Sequence, residues 1–262
     1  MKTTAALLLC LPFAALACGE VITLQTHGNT TTRYALTVPT KATAALVLLP
    51  GGGGHADLDA KGCAQKLKGN SLIRSQESFQ REGFATALVD APSDHAGEDG
   101  LGGFRAQPAH AGDLGKVVAD LRARLKVPVW VVGTSRGAIS AANAASRLAD
   151  LDGVVLTSPV TVGTAGGRKA WTAQTVQDNR LEDIRAPLLV VSHAQDGCFR
   201  SPPGGARGIA NRYKGTRSQV AVVSGGIPGR ADACEGRSPH AFHGLEAEVA
   251  AGIARFVRGG RY

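Results

Sequence analysis

The feature that most constrains the fold is the segment from Pro128 to Ser146, PVWVVGTSRGAISAANAAS, which begins apolar and ends rich in alanine. An apolar, β-branched run of this kind is typical of a strand buried on both faces of a parallel sheet. Between the two parts stand residues 133–137, a serine with glycine two positions away on each side. This pattern presents the serine on a sharp strand-to-helix turn, because a side chain at either flank would clash across the turn. The segment therefore predicts a strand, a tight turn that exposes Ser135, and a helix packed close to the strand.

The five-residue pattern alone is weak evidence. Glycine occupies 34 of the 262 positions, so roughly 0.2 chance matches to G-x-S-x-G are expected from the serines of the chain. A glycine-rich turn whose serine only caps a helix is the alternative interpretation. The buried strand before the turn and the alanine-rich helix after it favour a serine nucleophile.

Apolar segments with strand and helix spacing alternate along the chain after an initial pair of strands. Predicted strands cover residues 21–26, 31–38, 44–49, 84–89, 127–132, 153–156, 188–191 and 219–223, and predicted helices cover residues 70–82, 108–125 and a closing segment marked by Leu245, Val249, Ile253 and Val257. This order is typical of the α/β class, with an antiparallel start followed by a mostly parallel, twisted sheet that carries helices on both faces. No linker, charge block or repeat divides the chain, so residues 18–262 are predicted to form a single domain.

A serine nucleophile needs an imidazole base and a carboxylate that orients the base. Asp196 lies just past the predicted strand 188–191, at the sheet edge where reactive groups collect. Two histidines, His240 and His243, follow the strand 219–223 and precede the closing helix. Both remain candidates for the base, and His240 is favoured.

Acyl transfer also needs hydrogen-bond donors for the developing oxyanion. The backbone N–H of Arg136, directly after the serine, is one candidate. The glycine-rich loop 51–54 after the strand 44–49 supplies another, from Gly52 or Gly53, which the sequence does not separate. A nucleotide-binding loop is disfavoured, because no G-K-[ST] follows and G-x-G-x-x-G fails at Asp57.

No metal site and no cofactor are predicted. The histidines outside the candidate site show no ligand spacing with Cys, Asp or Glu, and no H-E-x-x-H occurs. These histidines are His27, His55, His95 and His110, while His193 is interpreted as a loop-packing residue.

Residues 1–17 are predicted to be a signal peptide: one lysine, an apolar segment, and a small-x-small pattern that ends at Ala17. The apolar segment is too short to span a bilayer. Cleavage would leave Cys18 first, which raises lipid anchoring at its thiol as a less favoured alternative to a periplasmic or secreted protein. The four remaining cysteines favour two disulfides, and the pairing we favour is Cys18 with Cys63 and Cys198 with Cys234.

The chain carries a formal net charge of +8. Its basic residues are spread along the sequence without a cluster or interleaved aromatics, which disfavours nucleic-acid binding.

The loop 51–54, the turn around Ser135, the strand-end Asp196 and the late His240 follow one another in an order that resembles the α/β-hydrolase superfamily. The phrases LVDAPSDH, VVGTSRG, SHAQDGC and SPHAFHGLE look like a group of exported bacterial α/β-hydrolases. That group shows a histidine followed by a small residue and an aromatic, which favours His240 as the base. The resemblance implies hydrolysis of a small-molecule ester, less often an amide or thioester, without a cofactor.

The segment between the strands near Leu156 and Leu188 is too short for a large lid. Trp171 and Phe104 are candidates for a substrate pocket, although isolated aromatics are more often core residues. Two other functions remain open: a non-catalytic envelope binding protein, and acyl transfer to an acceptor other than water. The sequence does not define the oligomeric state.

Overall fold

Eight strands form one sheet in the computed structural model, which describes residues 18–167, 169–229 and 232–262. The strands are β1 (Glu20–Gln25), β2 (Thr31–Thr37), β3 (Ala44–Leu49), β4 (Phe84–Val89), β5 (Val129–Thr134), β6 (Gly153–Thr157), β7 (Leu188–His193) and β8 (Ser218–Val223). Their spatial order is β1-β2-β4-β3-β5-β6-β7-β8. The β1–β2 and β2–β4 pairs are antiparallel and every pair from β4 to β8 is parallel, which confirms the predicted architecture.

Within these described residues, six α-helices accompany the sheet. They are α1 (Ser71–Arg74), α2 (Gln76–Arg81), α3 (Pro108–Leu125), α4 (Gly137–Arg147), α5 (Gly205–Arg212) and α6 (Glu246–Val257). The helix predicted over residues 70–82 is divided at Ser75, which ends α1 and begins α2. The short helix α5 was not anticipated, because it has only eight residues and only Ala206 and Ile209 of it are buried.

The helices cover both faces of the sheet. Residues of α3, α4 and α5 pack in one core cluster, and residues of α1, α2 and α6 pack in the other. The fully buried strand β5 contributes to both, since Val131 faces the first cluster and Val132 the second. Alternation of side chains along a strand explains why such a strand is apolar throughout.

The chain between β6 and β7 has no large lid in its described part. It forms short 3-10 helices at Ala170–Ala173, Val176–Asp178 and Leu181–Asp183. This agrees with the prediction that the segment is too short for a large lid.

Two disulfides join distant parts of the chain. Cys18 is bonded to Cys63 and Cys198 to Cys234, across sequence separations of 45 and 36 residues. Such bridges fit an oxidising compartment. In the described part of the chain no helix is both long and apolar enough to cross a bilayer. The predicted signal peptide, residues 1–17, lies outside the described residues.

The strand β5 and the helix α4 approach so closely that glycine is required at their junction. A Cβ built on Gly137 would lie 2.0 Å from the carbonyl oxygen of Leu49, and a Cβ on Gly133 would lie 2.3 Å from the carbonyl oxygen of Gly137. Real Cβ atoms do not approach backbone this closely. The two glycines therefore let α4 begin against the end of β3, directly beside Ser135.

We expect Gly137→Ala to lower the free energy of unfolding by about 3 kcal/mol or more, because the added methyl group must push α4 away from backbone that cannot yield. Gly112→Ala is the matched control. Gly112 lies in α3 with open space around it, so the same substitution should raise stability by about 0.5–1 kcal/mol. Urea unfolding followed by tryptophan fluorescence measures both, and wild-type stability in Gly137→Ala would contradict the packing described.

Candidate active site

Ser135 lies between the last residue of β5 and the first residue of α4, with a backbone φ of 53°. This left-handed conformation is unfavourable for a residue with a Cβ and persists only where the surrounding structure imposes it. Here the backbone N–H of Ser135 donates to the carbonyl oxygen of Thr157 at 2.9 Å, which ties the turn to the end of β6. The side chain is partly exposed at the sheet rim, which is the arrangement expected for an attacking hydroxyl.

Asp196 and His240 are joined by a buried hydrogen bond. The imidazole Nδ1 of His240 donates to Oδ2 of Asp196 at 2.9 Å, and the side chains are 4% and 0% exposed. The second carboxylate oxygen, Oδ1, accepts the backbone N–H of Cys198 at 2.9 Å. Because Nδ1 carries the donated proton, a neutral His240 has its free lone pair on Nε2.

His240 and Ser135 face the same cavity, which has a volume of about 210 Å³. In the described structure, Nε2 of His240 is buried and has no hydrogen-bond partner. The Ser135 hydroxyl is close enough to share this cavity with the imidazole but is not hydrogen-bonded to it. Looser contact between nucleophile and base is common before substrate binds.

The alternative base, His243, lies elsewhere. Its Nδ1 is 3.9 Å from Oε1 of Glu246, its backbone N–H donates to the carbonyl oxygen of Ser238, and it does not line the Ser135 cavity. The structure thus brings His240, and not His243, to Asp196. His193, interpreted from the sequence as a loop-packing residue, is instead the buried last residue of β7, where its Nε2 lies 3.1 Å from the carbonyl oxygen of Gly225.

The two glycine candidates for the oxyanion site separate in the structure. Gly52 lines the cavity, whereas Gly53 lies outside it with its carbonyl oxygen accepting the N–H of Leu101 at 2.8 Å. Gly51 also lines the cavity and was not anticipated; a Cβ there would lie 3.0 Å from the Cβ of Ser135. Arg136 lies at the N-terminus of α4, where the first N–H groups of a helix have no partner within the helix.

Arg105 donates hydrogen bonds to the backbone of the glycine-rich loop, a role that the sequence analysis did not identify. Its guanidinium is fully buried and donates to the carbonyl oxygens of Pro50 and Gly52, at 3.1 and 3.2 Å, and to Oγ of Ser140 at 2.8 Å. Burial, with a smaller contribution from the charge of Arg136, lowers the pKa of Arg105 well below its usual value. Burying a charged group is unfavourable unless the group is hydrogen-bonded. The hydrogen bonds to the loop beside the cavity and to Ser140 compensate part of this cost for Arg105.

Asp90 fixes the continuation of the same loop and was also missed. Its Oδ1 accepts the backbone N–H of Ala56 at 2.7 Å and its Oδ2 that of Leu58 at 2.9 Å, while Nδ1 of His55 donates to Oδ1 at 3.0 Å. Asp90 follows β4 directly, so its side chain reaches a loop that begins at the neighbouring strand β3.

The two aromatic pocket candidates do not line the Ser135 cavity. The guanidinium of Arg136 stacks over the ring of Trp171, 3.8 Å from its centroid. Burial is the main cause that lowers the pKa of Arg136 to about 10. Phe104 stacks on the imidazole of His95 with ring centroids 4.2 Å apart. Both aromatics support loops around the site.

The Cys198–Cys234 disulfide lies beside the same group of residues. Cys234 lines the cavity, and Cys198 donates its backbone N–H to Asp196. The bridge therefore connects the loop that carries the carboxylate with the loop that leads to the imidazole. In the chain-entropy model, closing a loop of this length stabilises the folded state by roughly 4 kcal/mol.

No family model matches the sequence, and no curated protein matches it. Solved structures do match. A lidless α/β serine hydrolase from Xanthomonas campestris is 15% identical with a TM-score of 0.61, covering 91% of this chain and 93% of that one. An esterase from Pyrococcus furiosus is 14% identical with a TM-score of 0.63, covering 91% of each chain. A carboxyl esterase from Bacillus coagulans is 12% identical with a TM-score of 0.61, covering 92% and 98%. The chain has the α/β-hydrolase fold.

We expect Arg105→Met to lower the free energy of unfolding by about 3 kcal/mol, because three acceptors, two of them buried, lose their donor at once. Arg207→Met is the control. Arg207 is exposed on α5, so its substitution should change stability by no more than about 0.5 kcal/mol. Chemical denaturation followed by circular dichroism compares the two, and equal stability of both variants would contradict the role given to Arg105.

Proposed function

We propose that this protein is a serine hydrolase that cleaves carboxylic esters through an acyl-enzyme formed on Ser135. One observation carries the proposal: the imidazole of His240 is fixed by a buried carboxylate, and His240 and Ser135 line the same cavity. A base held in one tautomer next to a serine on a strained turn is the arrangement that nucleophilic acyl transfer requires. The esterases among the structural neighbours support the same reaction class.

In the proposed mechanism, Oγ of Ser135 attacks the ester carbonyl carbon while Nε2 of His240 accepts the hydroxyl proton. Asp196 stabilises the imidazolium that forms. The backbone N–H groups of Arg136 and Gly52 donate to the carbonyl oxygen as it becomes negative. The tetrahedral intermediate collapses, the leaving alcohol takes the proton from His240, and the acyl group stays on Ser135. Water then attacks the acyl-enzyme with the same base, which releases the acid and restores the hydroxyl.

The cavity favours a short acyl group. Its volume of about 210 Å³ lies below the roughly 300–1,000 Å³ of sites that enclose drug-sized ligands. Leu67 and Ala241 are the main aliphatic side chains in its wall, and glycine backbone, Asn70 and Glu235 form much of the rest. A long aliphatic chain would find little apolar surface here.

We also propose that the mature protein is exported and begins at Cys18. The two disulfides support an oxidising compartment. The sulfur of Cys18 is bonded to Cys63, which is incompatible with a lipid attached to the same sulfur. This argues for a periplasmic or secreted protein and against the lipid anchor considered from the sequence.

Labelling with a fluorophosphonate probe tests the proposed nucleophile. We expect wild-type protein to be labelled and to hydrolyse p-nitrophenyl acetate and butyrate, whereas Ser135→Ala should lose the label and at least about 10³-fold in kcat, since no other group replaces the attacking hydroxyl. Ser71→Ala is the matched control, because Ser71 lines the same cavity and should leave labelling intact.

Unchanged labelling of a folded Ser135→Ala protein would overturn the proposal. An unlabelled wild-type protein would instead favour the non-catalytic binding module. Product analysis with added alcohols separates hydrolysis from transfer, because transfer would yield a new ester in place of the free acid.

A further inference from the structure

Three potential metal ligands meet at the rim on the β2–β4 side of the sheet, away from Ser135. His27 lies in the turn between β1 and β2, and Asp94 and His95 lie in the short 3-10 helix after β4. Oδ2 of Asp94 is 3.0 Å from Nε2 of His27 and 3.8 Å from Nε2 of His95, and the three candidate ligand atoms lie within 4.8 Å of one another. The strand β3 separates this group from β5.

Both imidazoles are oriented by acceptors on their other nitrogen. Nδ1 of His27 donates to Oδ2 of Asp113 at 2.6 Å, and Nδ1 of His95 donates to the carbonyl oxygen of Gly100 at 3.2 Å. The Asp113 carboxylate is 3% exposed and also accepts the backbone N–H of His27 at 2.8 Å. Acceptors of this kind are what fix metal-binding histidines in proteins, because they hold the proton on one nitrogen and direct the other toward the metal. In this structure Nε2 of His27 lies within hydrogen-bond distance of Oδ2 of Asp94, at 3.0 Å, and a bound ion would replace that contact.

The two separations measured from Asp94 suit a small tetrahedral ion. Bonds of about 2.1 Å in a tetrahedral site place neighbouring ligand atoms roughly 3.4 Å apart. The separations of 3.0 and 3.8 Å from Asp94 lie on either side of that value. Two imidazoles with one carboxylate favour zinc and its neighbours over calcium or magnesium, which prefer oxygen ligands alone.

The group is accessible, and it has an apolar wall. The side chains of His27, Asp94 and His95 are 24%, 43% and 27% exposed, so an ion can enter and a water molecule can serve as the fourth ligand. The ring of Phe104 packs against both imidazoles, with centroids 4.8 Å from His27 and 4.2 Å from His95. This packing limits how far either ring can turn away.

We propose that His27, Asp94 and His95 bind one divalent transition-metal ion of the zinc class, with water completing a tetrahedral site. Sequence spacing did not reveal it, because His27 is more than 60 residues from the other two ligands and only the antiparallel pairing of β2 with β4 brings them together. The proposal departs from the sequence-based expectation that the chain has no metal site.

The bound ion would stabilise a loop that supports the active site. It joins the β1–β2 turn to the segment after β4, and that segment continues to Gly100 and Leu101. Leu101 donates its N–H to the carbonyl oxygen of Gly53 at 2.8 Å, and a Cβ on Gly100 would lie 2.1 Å from the same oxygen. The ion is therefore assigned a structural role, with no part in the chemistry at Ser135.

Titration of the metal-free, untagged mature chain with Co²⁺ tests the site. We expect one equivalent to give the intense visible absorption bands of tetrahedral cobalt, and one equivalent of Zn²⁺ to remove them. His27→Gln, His95→Gln and Asp94→Asn should each weaken binding at least tenfold, because each removes one of three protein ligands. Glu98→Gln is the matched control, since Glu98 lies in the same loop with its side chain 91% exposed and should bind as wild type does.

Thermal unfolding gives a second readout of metal binding, which does not depend on hydrolysis and also shows whether each variant is folded. Zn²⁺ should raise the Tm of wild type and of Glu98→Gln but not that of Asp94→Asn, whose exposed side chain can be changed without loss of the fold. Wild-type protein that binds no stoichiometric Co²⁺ or Zn²⁺ would overturn the proposal. Binding that persists undiminished in both His27→Gln and His95→Gln would overturn it equally, because the ion would then lie elsewhere.

Discussion

The buried hydrogen bond between His240 and Asp196 is the interaction on which the functional account depends. It joins a carboxylate after β7 to an imidazole on the segment that follows β8, two residues that lie 44 positions apart in the sequence. Burial excludes water from the carboxylate, so its preference for the Nδ1–H tautomer is strong. In the proposed mechanism this contact leaves Nε2 as the nitrogen that accepts the hydroxyl proton of Ser135, and without it the hydroxyl would have no oriented base.

The rest of the site consists largely of backbone held by buried polar side chains. Arg105 directs its donors at the carbonyl oxygens of Pro50 and Gly52, and Asp90 accepts the N–H groups that follow. Backbone donors stabilise an oxyanion only when they are already in position. In the proposed mechanism, Arg105 and Asp90 therefore contribute indirectly, because they hold the loop that carries one of these donors. The metal site proposed at His27 would add to this support, because the segment after β4 that supplies two of its ligands also hydrogen-bonds Gly53 through Leu101.

The sequence was sufficient for the fold class, because buried parallel strands leave continuous apolar runs and the amphipathic helices between them leave a helical period. It also predicted Ser135 and Asp196 at strand ends and His240 between the last strand and the closing helix, at the edge where the topology brings reactive groups together. It did not identify Arg105 or Asp90, since each acts on a loop that is distant in sequence and neither belongs to a motif. The break at Ser75 was missed for a related reason: the apolar period continues across it, and only the backbone geometry divides the helix.

The most direct test of the central claim is whether Ser135 and His240 act as one unit. The measurement is kcat for p-nitrophenyl acetate in Ser135→Ala, in His240→Ala and in the double variant, each verified as folded. If the imidazole works only by activating the hydroxyl, the double variant should be no slower than Ser135→Ala, within about a factor of three. Losses that multiply in the double variant would show that the two residues act independently, and that result would contradict the mechanism.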